Sequence, residues 1–339
     1  MKSIDIKNAE KGLLEIDAGF EYIEKVKSHG LELSTLTNKN KVLIIDELKI
    51  KYKLETLLKI SGLSKSSYYY SLKHQDFDNK NKDIIDMIKT IYEENESRYG
   101  YRRIALELRI QNHIVNHKKV KRLMSKLGLY GLNQKAPKYN SYRGKVGTIL
   151  DNKLLDTYTN SNGYTNYKRN FKTKSPNEKW STDISMFKIK YGKLYLSPIM
   201  DLYDSSIISY NISTSPILFQ VKDMIDKAFN SNTNLNGLIF HSDQGWQYQQ
   251  KSYQNKLKEL GIIQSMSRKG NCLDNSPMEN FFSIMKKEMF YGKEDTFTSL
   301  DDLKKKMDDY IYYYNNKRIS LKRKGLTPIQ YRNKALLKT

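Results

Sequence analysis

The spacing of apolar residues changes along the chain and marks out its elements. Residues 1–44 carry a weak helical pattern, Leu13, Leu14, Ile16, Phe20 and Ile23, interrupted by Gly19 and Gly30. No sustained heptad runs through it, and no function follows from it. In residues 45–78, Leu48, Leu54, Leu57, Leu58 and Ile60 stand at near-helical spacing. Gly62 then suits a tight turn and Ser64 an N-cap for a second helix rich in Ser, Lys and Tyr. That is the pattern of a helix-turn-helix, with Lys65 and Tyr69 available to DNA. A plain helical hairpin explains it equally well.

Residues 79–128 form a second helical block. Ile84, Ile85, Ile88 and Ile91 repeat at 3–4 spacing, and Arg98-Tyr99-Gly100-Tyr101-Arg102-Arg103 opens a second helix. Asn116 can cap a third. On it Val120, Leu123, Met124 and Leu127 share one apolar face, and Lys118, Lys119, Lys121 and Arg122 crowd the remainder with no acid between them. Phosphate contact requires such a face. Residues 129–175, with Pro137 and no clear periodicity, read as a basic linker.

From residue 176 the period becomes two. Trp180, Thr182, Ile184 and Met186 alternate with Ser181, Asp183 and Ser185, which predicts a strand with Asp183 on its polar face. Strands at 194–200 and 207–212 follow, with Pro198 suggesting an edge or a bulge. A helix at 217–230, a strand at 238–240, a helix at 249–260, a strand at 262–266 and a helix at 276–291 complete the order. Three strands, then helix, strand, helix, strand and helix match a ribonuclease-H-like α/β fold over 176–300, with a helical tail at 301–339.

Charge adds a partner. The chain of 339 residues carries 59 Lys+Arg against 37 Asp+Glu, a formal net charge of +22. Residues 1–44 are neutral and the excess begins beyond them, so the bias is not uniform along the chain. Polyanions, above all nucleic acid, are the expected partners. Cys272 is the only cysteine, which excludes an internal disulfide and suits a reducing cytoplasm. No apolar run approaches the ~18 residues of a membrane span, and no signal peptide is expected.

Three acids can carry chemistry. Asp243 ends the apolar strand 238–240 where the chain turns at Gly245, and open α/β sheets place sites beyond such strand ends. Glu279 opens the last core helix, where Ser276-Pro277-Met278-Glu279 is also a capping-box pattern. Asp183, Asp243 and Glu279 supply oxygen-only ligands, which suit two Mg²⁺ ions, with Mn²⁺ as the substitute. Asp201, Asp204, Asp274 and Glu288 are the competing acids, Asp274 the nearest rival of Glu279. Lys286 lies two helical turns beyond Glu279, and Lys287 reads as a surface lysine.

At these residues the chain resembles a known family. Asn177 to Asp183, His241 to Gly245, Ser267 to Asn275 and Glu279-Asn280-Phe281-Phe282 with Lys286 resemble the DDE transposases of the insertion sequence 3 family, closest to its insertion sequence 150 group. Thirty-five residues separate Asp243 from Glu279. Ser64 to Tyr70, Arg98 to Arg103, Tyr310 to Arg318 and Leu326 to Tyr331 are similar to that family too. The resemblance implies a second-frame product with a retroviral-integrase-like core. It implies Asp183, Asp243 and Glu279 as acids and metal ligands, Lys286 on terminal DNA, and cutting and joining of element ends. Double-stranded DNA, copies of the chain and an upstream-frame helix-turn-helix protein, separate or fused, are then the expected partners, in the bacterial cytoplasm on the nucleoid. The competing readings are a metal nuclease of the same fold and a DNA-binding regulator with an inactive core. The intact acid set argues against the latter.

Overall fold

The computed structural model describes residues 2–75, 81–132, 147–230 and 235–337. Pro137 and the stretch 133–146 of the expected linker lie outside the described residues, as does the junction expected at 78–79. The chain divides into two compact units, 1–89 and 90–339.

The first unit is all helical: α1 (Lys2–Ser28), α2 (Asn38–Leu48), α3 (Leu54–Ser61) and α4 (Lys65–Gln75). Its core joins Ala18, Tyr22 and Val26 of α1 to Val42, Ile45 and Leu48 of α2, Leu57 of α3 and Tyr68 of α4. Gly19 does not interrupt α1, contrary to expectation; the break comes at Gly30, whose φ is 65°. The apolar residues that marked the pattern, Leu13, Leu14, Ile16, Phe20 and Ile23, are the exposed ones. The buried face is the one with the small Ala18, where a neighbouring helix can approach closely. Gly62, at φ 62°, ends α3 in the left-handed conformation that only glycine adopts without strain. Ser64 Oγ accepts from the Ser67 N–H at 3.1 Å, capping α4 as expected.

The division between units falls inside α5 (Lys82–Glu94). The second unit continues with α6 (Tyr101–Ile110) and α7 (His117–Lys126). Asn116 caps α7, its side chain accepting from the Lys118 N–H at 2.8 Å. Val120, Leu123 and Met124 are buried and Lys118, Lys121 and Arg122 face outward, as expected, with Lys119 half-buried.

The expected linker is corrected over 147–175. Residues Leu155–Thr159 (β1) and Thr165–Arg169 (β2) pair as an antiparallel hairpin. Both faces of this ribbon are largely exposed, so its sequence has no apolar alternation to reveal it. Residues ahead of it dock on the main sheet. The Lys153 N–H donates to Ser265 Oγ at 2.8 Å, and the Gly147 N–H to the Gln249 side chain at 3.0 Å.

The main sheet contains β3 (Lys179–Thr182), β4 (Ser185–Ile189), β5 (Gly192–Asp201), β6 (Ile207–Ser213), β7 (Ile239–Ser242) and β8 (Ile263–Met266). β3 and β4 lie end to end along one edge of β5, and β6 takes the other edge. β7 and β8 follow beyond β3, all three parallel. The single strand expected over 180–186 is therefore two, broken at Asp183-Ile184. Asp183 Oδ1 accepts from the Ile184 N–H at 2.7 Å, which turns the chain there. Pro198 faces this break from β5, where no ladder bond is asked of it. β5 is an interior strand rather than an edge, and its irregularity falls one residue later, between Ile199 and Met200.

Helices α8 (Leu218–Asn230) and α9 (Lys251–Glu259) cover the face holding Trp180, Ile199 and Phe240. Helices α10 (Ser276–Met285) and α11 (Leu300–Asn316) cover the other, with Phe281 against Tyr314 at 4.9 Å between ring centres. Both faces of β3 are thus covered, and Ser181 and Thr182 are buried. The polar face expected in solvent is instead a hydrogen-bonded seam.

The expected tail is also part of this unit. Arg332 of α12 (Pro328–Leu336) bonds Asp201 and Asp204, both at 2.9 Å. Glu288, fully buried, accepts from Arg318 at 2.8 Å, Tyr310 at 2.9 Å and Arg103 at 3.2 Å. Tyr99 donates to the Lys317 carbonyl and accepts from the Ile319 N–H. The Arg98 guanidinium lies 4.3 Å from the centre of the Tyr313 ring. The Arg98–Arg103 segment is therefore fastened to the end of α11.

Glu288→Ala leaves Arg318 buried without its anion. It is expected to lower unfolding free energy by about 3–5 kcal/mol in denaturant titrations. Lys305→Ala, on the exposed side of α11, should change it by less than about 0.5 kcal/mol.

Candidate active site

β3 and β7 run parallel and in register, Ser181 beside His241. Two residues further on, each strand has ended, and Asp183 and Asp243 stand next to each other beyond the ends. Each has one carboxylate oxygen held by its own turn. Asp183 Oδ1 takes the Ile184 N–H at 2.7 Å, and Asp243 Oδ1 takes the Gly245 N–H at 2.8 Å. A Cβ on Gly245 would lie 3.0 Å from Asp243 Oδ1, so the turn suits glycine. His241, two residues before Asp243, is clamped between Ser265 Oγ at 2.8 Å and Ser267 Oγ at 3.1 Å. Burial pushes its imidazole down to about 4, so it is a neutral strap between β7 and β8 at pH 7.

Glu279 comes from the first turn of α10. The capping-box alternative is overturned: the N-cap is Asn275, Ser276 lies inside the helix, and no side chain caps it. Asn275 has another task. Its Nδ2 donates to the Thr182 carbonyl at 3.0 Å, and its Oδ1 accepts from Ser181 Oγ. One amide thus pins the helix of Glu279 to the strand that ends at Asp183. Nothing in the sequence flagged it beyond its place in a matching motif.

Asp274, the rival third acid, is fully buried and has a structural partner set. Arg169 Nε reaches it at 2.8 Å, Arg268 Nε at 2.9 Å and Asn152 Nδ2 at 3.0 Å. Burial alone would raise its pKa, but the hydrogen bonds and charge of Arg268 and Arg169 hold it below the usual carboxylate range. It ties the β1–β2 hairpin to the loop leading into α10.

The other three acids lack such partners. Burial pushes the Asp183 carboxyl well up, and the charges of Asp243 and Glu279 push it further. Burial likewise raises Asp243 and Glu279. Glu279 makes no hydrogen bond or ion pair among the described residues. As they stand, no three His, Cys, Asp or Glu side chains among the described residues share one ion position. The acids are gathered at one sheet end without being closed on a centre.

Lys286 is the cation whose charge acts on Asp183. The expected helix over 276–291 ends at Met285, and Lys286–Phe290 form one wide π-turn. Lys286 Nζ lies 4.9 Å from the centre of the Phe187 ring. Burial lowers its pKa, and Asp183 opposes that shift.

Of the other basic candidates, Lys118, Lys121 and Arg122 are exposed on α7, and Lys119 is half-buried there. In the first unit, Lys65 and Tyr69 are exposed on α4. Arg102 is exposed, whereas Arg103 is half-buried and bonded to Glu288. Lys287, read as a surface lysine, lines a cavity with Arg102.

Two substitutions separate the acids. A carboxyl whose pKa is raised on folding binds protons more tightly when folded, so its ionisation at pH 7 opposes folding. Asp183→Asn is therefore expected to raise Tm, by about 2–4 °C per kcal/mol of repulsion removed. Asp274→Asn should lower Tm, with a deficit that shrinks as pH falls below about 4, where Asp274 in the unfolded chain binds a proton that the folded protein still resists. Calorimetric melting between pH 3 and pH 8 checks both signs.

Residues 173–272 match an integrase core domain, 279–336 a second integrase core domain model, and 78–137 an HTH-like domain. The last match falls on the second helical block rather than on 45–78. InsK, named as a transposase for insertion sequence element IS150 of Escherichia coli K12, is 45% identical over 87% of this chain and 98% of its own. A transposase for element IS904 of Lactococcus lactis is 32% identical over 70% of this chain and 88% of its own. InsF for element IS3A of Escherichia coli K12 is 27% identical over 87% and 99%. Among solved structures, the HTLV-2 integrase catalytic core in complex with magnesium aligns with 47% of this chain and 97% of its own, at 17% identity and TM-score 0.37. With its integrase core, its HTH-like domain and these relatives, the chain belongs to the insertion sequence 3 family of DDE transposases, in the IS150-like group, enzymes of DNA transposition.

Proposed function

We propose that Asp183, Asp243 and Glu279 are the catalytic acids of DNA cleavage and strand transfer at the ends of an insertion sequence, and that they hold two Mg²⁺ ions, Mn²⁺ substituting. One observation carries this reading. The four buried acids among the described residues, Asp201, Asp204, Asp274 and Glu288, each form an ion pair with arginine, Asp201 and Asp204 sharing Arg332, and the three recessed acids at the sheet end form none. The donor set is all oxygen, and Mg²⁺ keeps several waters and needs only one or two carboxylates. When bound, such ions supply charge for the scissile phosphate and activation of a water or 3′-hydroxyl. The protein's own work is to fix the acids. Asn275 sets Glu279 over the end of β3, and the turn amides orient Asp183 and Asp243.

Lys286 is assigned to the terminal DNA phosphate beside the acids, as a point charge without the fixed fork of arginine. Lys118, Lys119, Lys121 and Arg122 on α7 are assigned to duplex DNA, as are Arg102 and Arg103 near the start of α6 and Lys65 and Tyr69 on α4. The reading includes homo-oligomers on DNA, supported by the exposed apolar line Leu13, Ile16, Phe20 and Ile23 on α1, whose 3–4–3 spacing suits a coiled-coil seam. On family resemblance alone it includes an upstream-frame helix-turn-helix protein, separate or fused, and work on the nucleoid in the cytoplasm. No helix among the described residues is long and apolar enough to cross a membrane.

Purified chain incubated with its element ends in Mg²⁺, with cleavage and joining scored separately, tests the assignment. Asp183→Asn, Asp243→Asn and Glu279→Gln should each reduce both reactions to background while the fold is kept. Cutting without joining in the wild type would favour the nuclease reading. An active Glu279→Gln beside a folded but inactive Asp274→Asn would overturn the third acid. For the oligomer, Phe20→Glu should lower the mass measured by light scattering; an unchanged mass would remove α1 from assembly.

A further inference from the structure

Beside the end of α10 and the π-turn lies a cavity of about 510 Å³ whose walls include Arg98, Arg102, Arg103, Lys287, Glu288 and Arg318. We infer that this cavity binds a phosphodiester of the DNA backbone. Five cations from three distant segments line it beside one carboxylate. That carboxylate, Glu288, already serves Arg318 and Arg103. Lys287 has no hydrogen bond or ion pair among the described residues, and Arg102 meets only the Tyr101 ring.

Two further features call for an anion. The Arg98 side chain is 8% exposed, and its Nε has no hydrogen-bond partner, although another guanidinium nitrogen reaches Glu96. The ten-residue helix α6 starts at the same cavity, and its N-cap, Gly100, offers no side-chain bond to the first amides. Those open N–H groups carry the positive end of the helix dipole. Gly131 seals the other side: a Cβ on it would lie 2.9 Å from the Gly100 Cα, so no side chain can fill the space there.

The π-turn identifies the anion. Lys286 acts on Asp183, and the next residue, Lys287, opens on the cavity. Consecutive Cα atoms are about 3.8 Å apart. The family acts on DNA, and a backbone phosphate is the anion that DNA would offer to these cations. The inference rests on DNA being held at those acids. It extends the contact surface from Lys286 around the turn to the start of α6.

The test uses full-length protein and a fluorescent element-end duplex, read by anisotropy over a range of salt. A series of duplexes carries a neutral methylphosphonate at successive backbone positions. At one position neutralisation should weaken wild-type binding, yet leave the Arg102→Ala, Lys287→Ala double variant unchanged. The salt slope of the double variant should be lower by about 1. Lys305→Ala should match the wild type in both readouts. If every position weakens both proteins equally and the slope is kept, the cavity holds no backbone phosphate. If inorganic phosphate shifts the wild-type melting curve and no DNA position is coupled, the site takes free anions only and the inference fails. Should the double variant melt early, Lys287→Ala alone decides, because Lys287 has no partner to lose. Wild-type protein that binds no DNA at any salt would instead sink the reading of the acids.

Discussion

Asp274 and Asn275 are adjacent residues on which the geometry of the site depends. The carboxylate of Asp274 gathers Arg169 from the hairpin, Arg268 from the loop after β8 and Asn152 from the segment ahead of the hairpin. The amide of Asn275 holds the seam of β3, one residue before Asp183. Four residues later α10 presents Glu279. The distance between two acids brought from separate elements is thus set by buried polar groups that are fully partnered. Such networks are costly when half satisfied and specify geometry well when complete.

Against that frame of paired charge, the unpaired acids stand out in energetic terms. A carboxylate taken out of water without a cation shifts its pKa upward rather than remain charged at full cost. Asp183, Asp243 and Glu279 all show that direction, and Lys286 offsets only part of it at Asp183. Asp274 and Glu288 meet arginine and are held below the usual carboxylate range, whereas these three half-buried acids have no arginine and shift the other way.

Much of this was legible in the sequence because it follows period and punctuation. The strands after residue 190, the helices α8 to α10, the cap at Asn116 and the turn at Gly62 all came from spacing and turn chemistry. Other features were hidden for physical reasons. The break at Asp183 looks like continued alternation, because a covered β3 puts small polar residues in a seam that mimics a wet face. The β1–β2 hairpin has no dry face to show. The buried stripe of α1 uses Ala18, Tyr22 and Val26, while its larger apolar residues stay outside. The bond from Arg103 to Glu288, 185 positions away, has no signature in the local pattern around either residue. The capping box at Ser276 fits the pattern rules, but the side chain that would have to cap lies one residue inside the helix.

Asp183, Asp243 and Glu279 are proposed to bind Mg²⁺ together. Titration calorimetry of Mg²⁺ into full-length protein without DNA tests it most directly. Wild-type protein should show binding heat that Asp183→Asn and Glu279→Gln each remove, while Asp301→Asn, on the exposed first turn of α11, keeps it. Equal heats from wild type and Asp183→Asn would contradict the account.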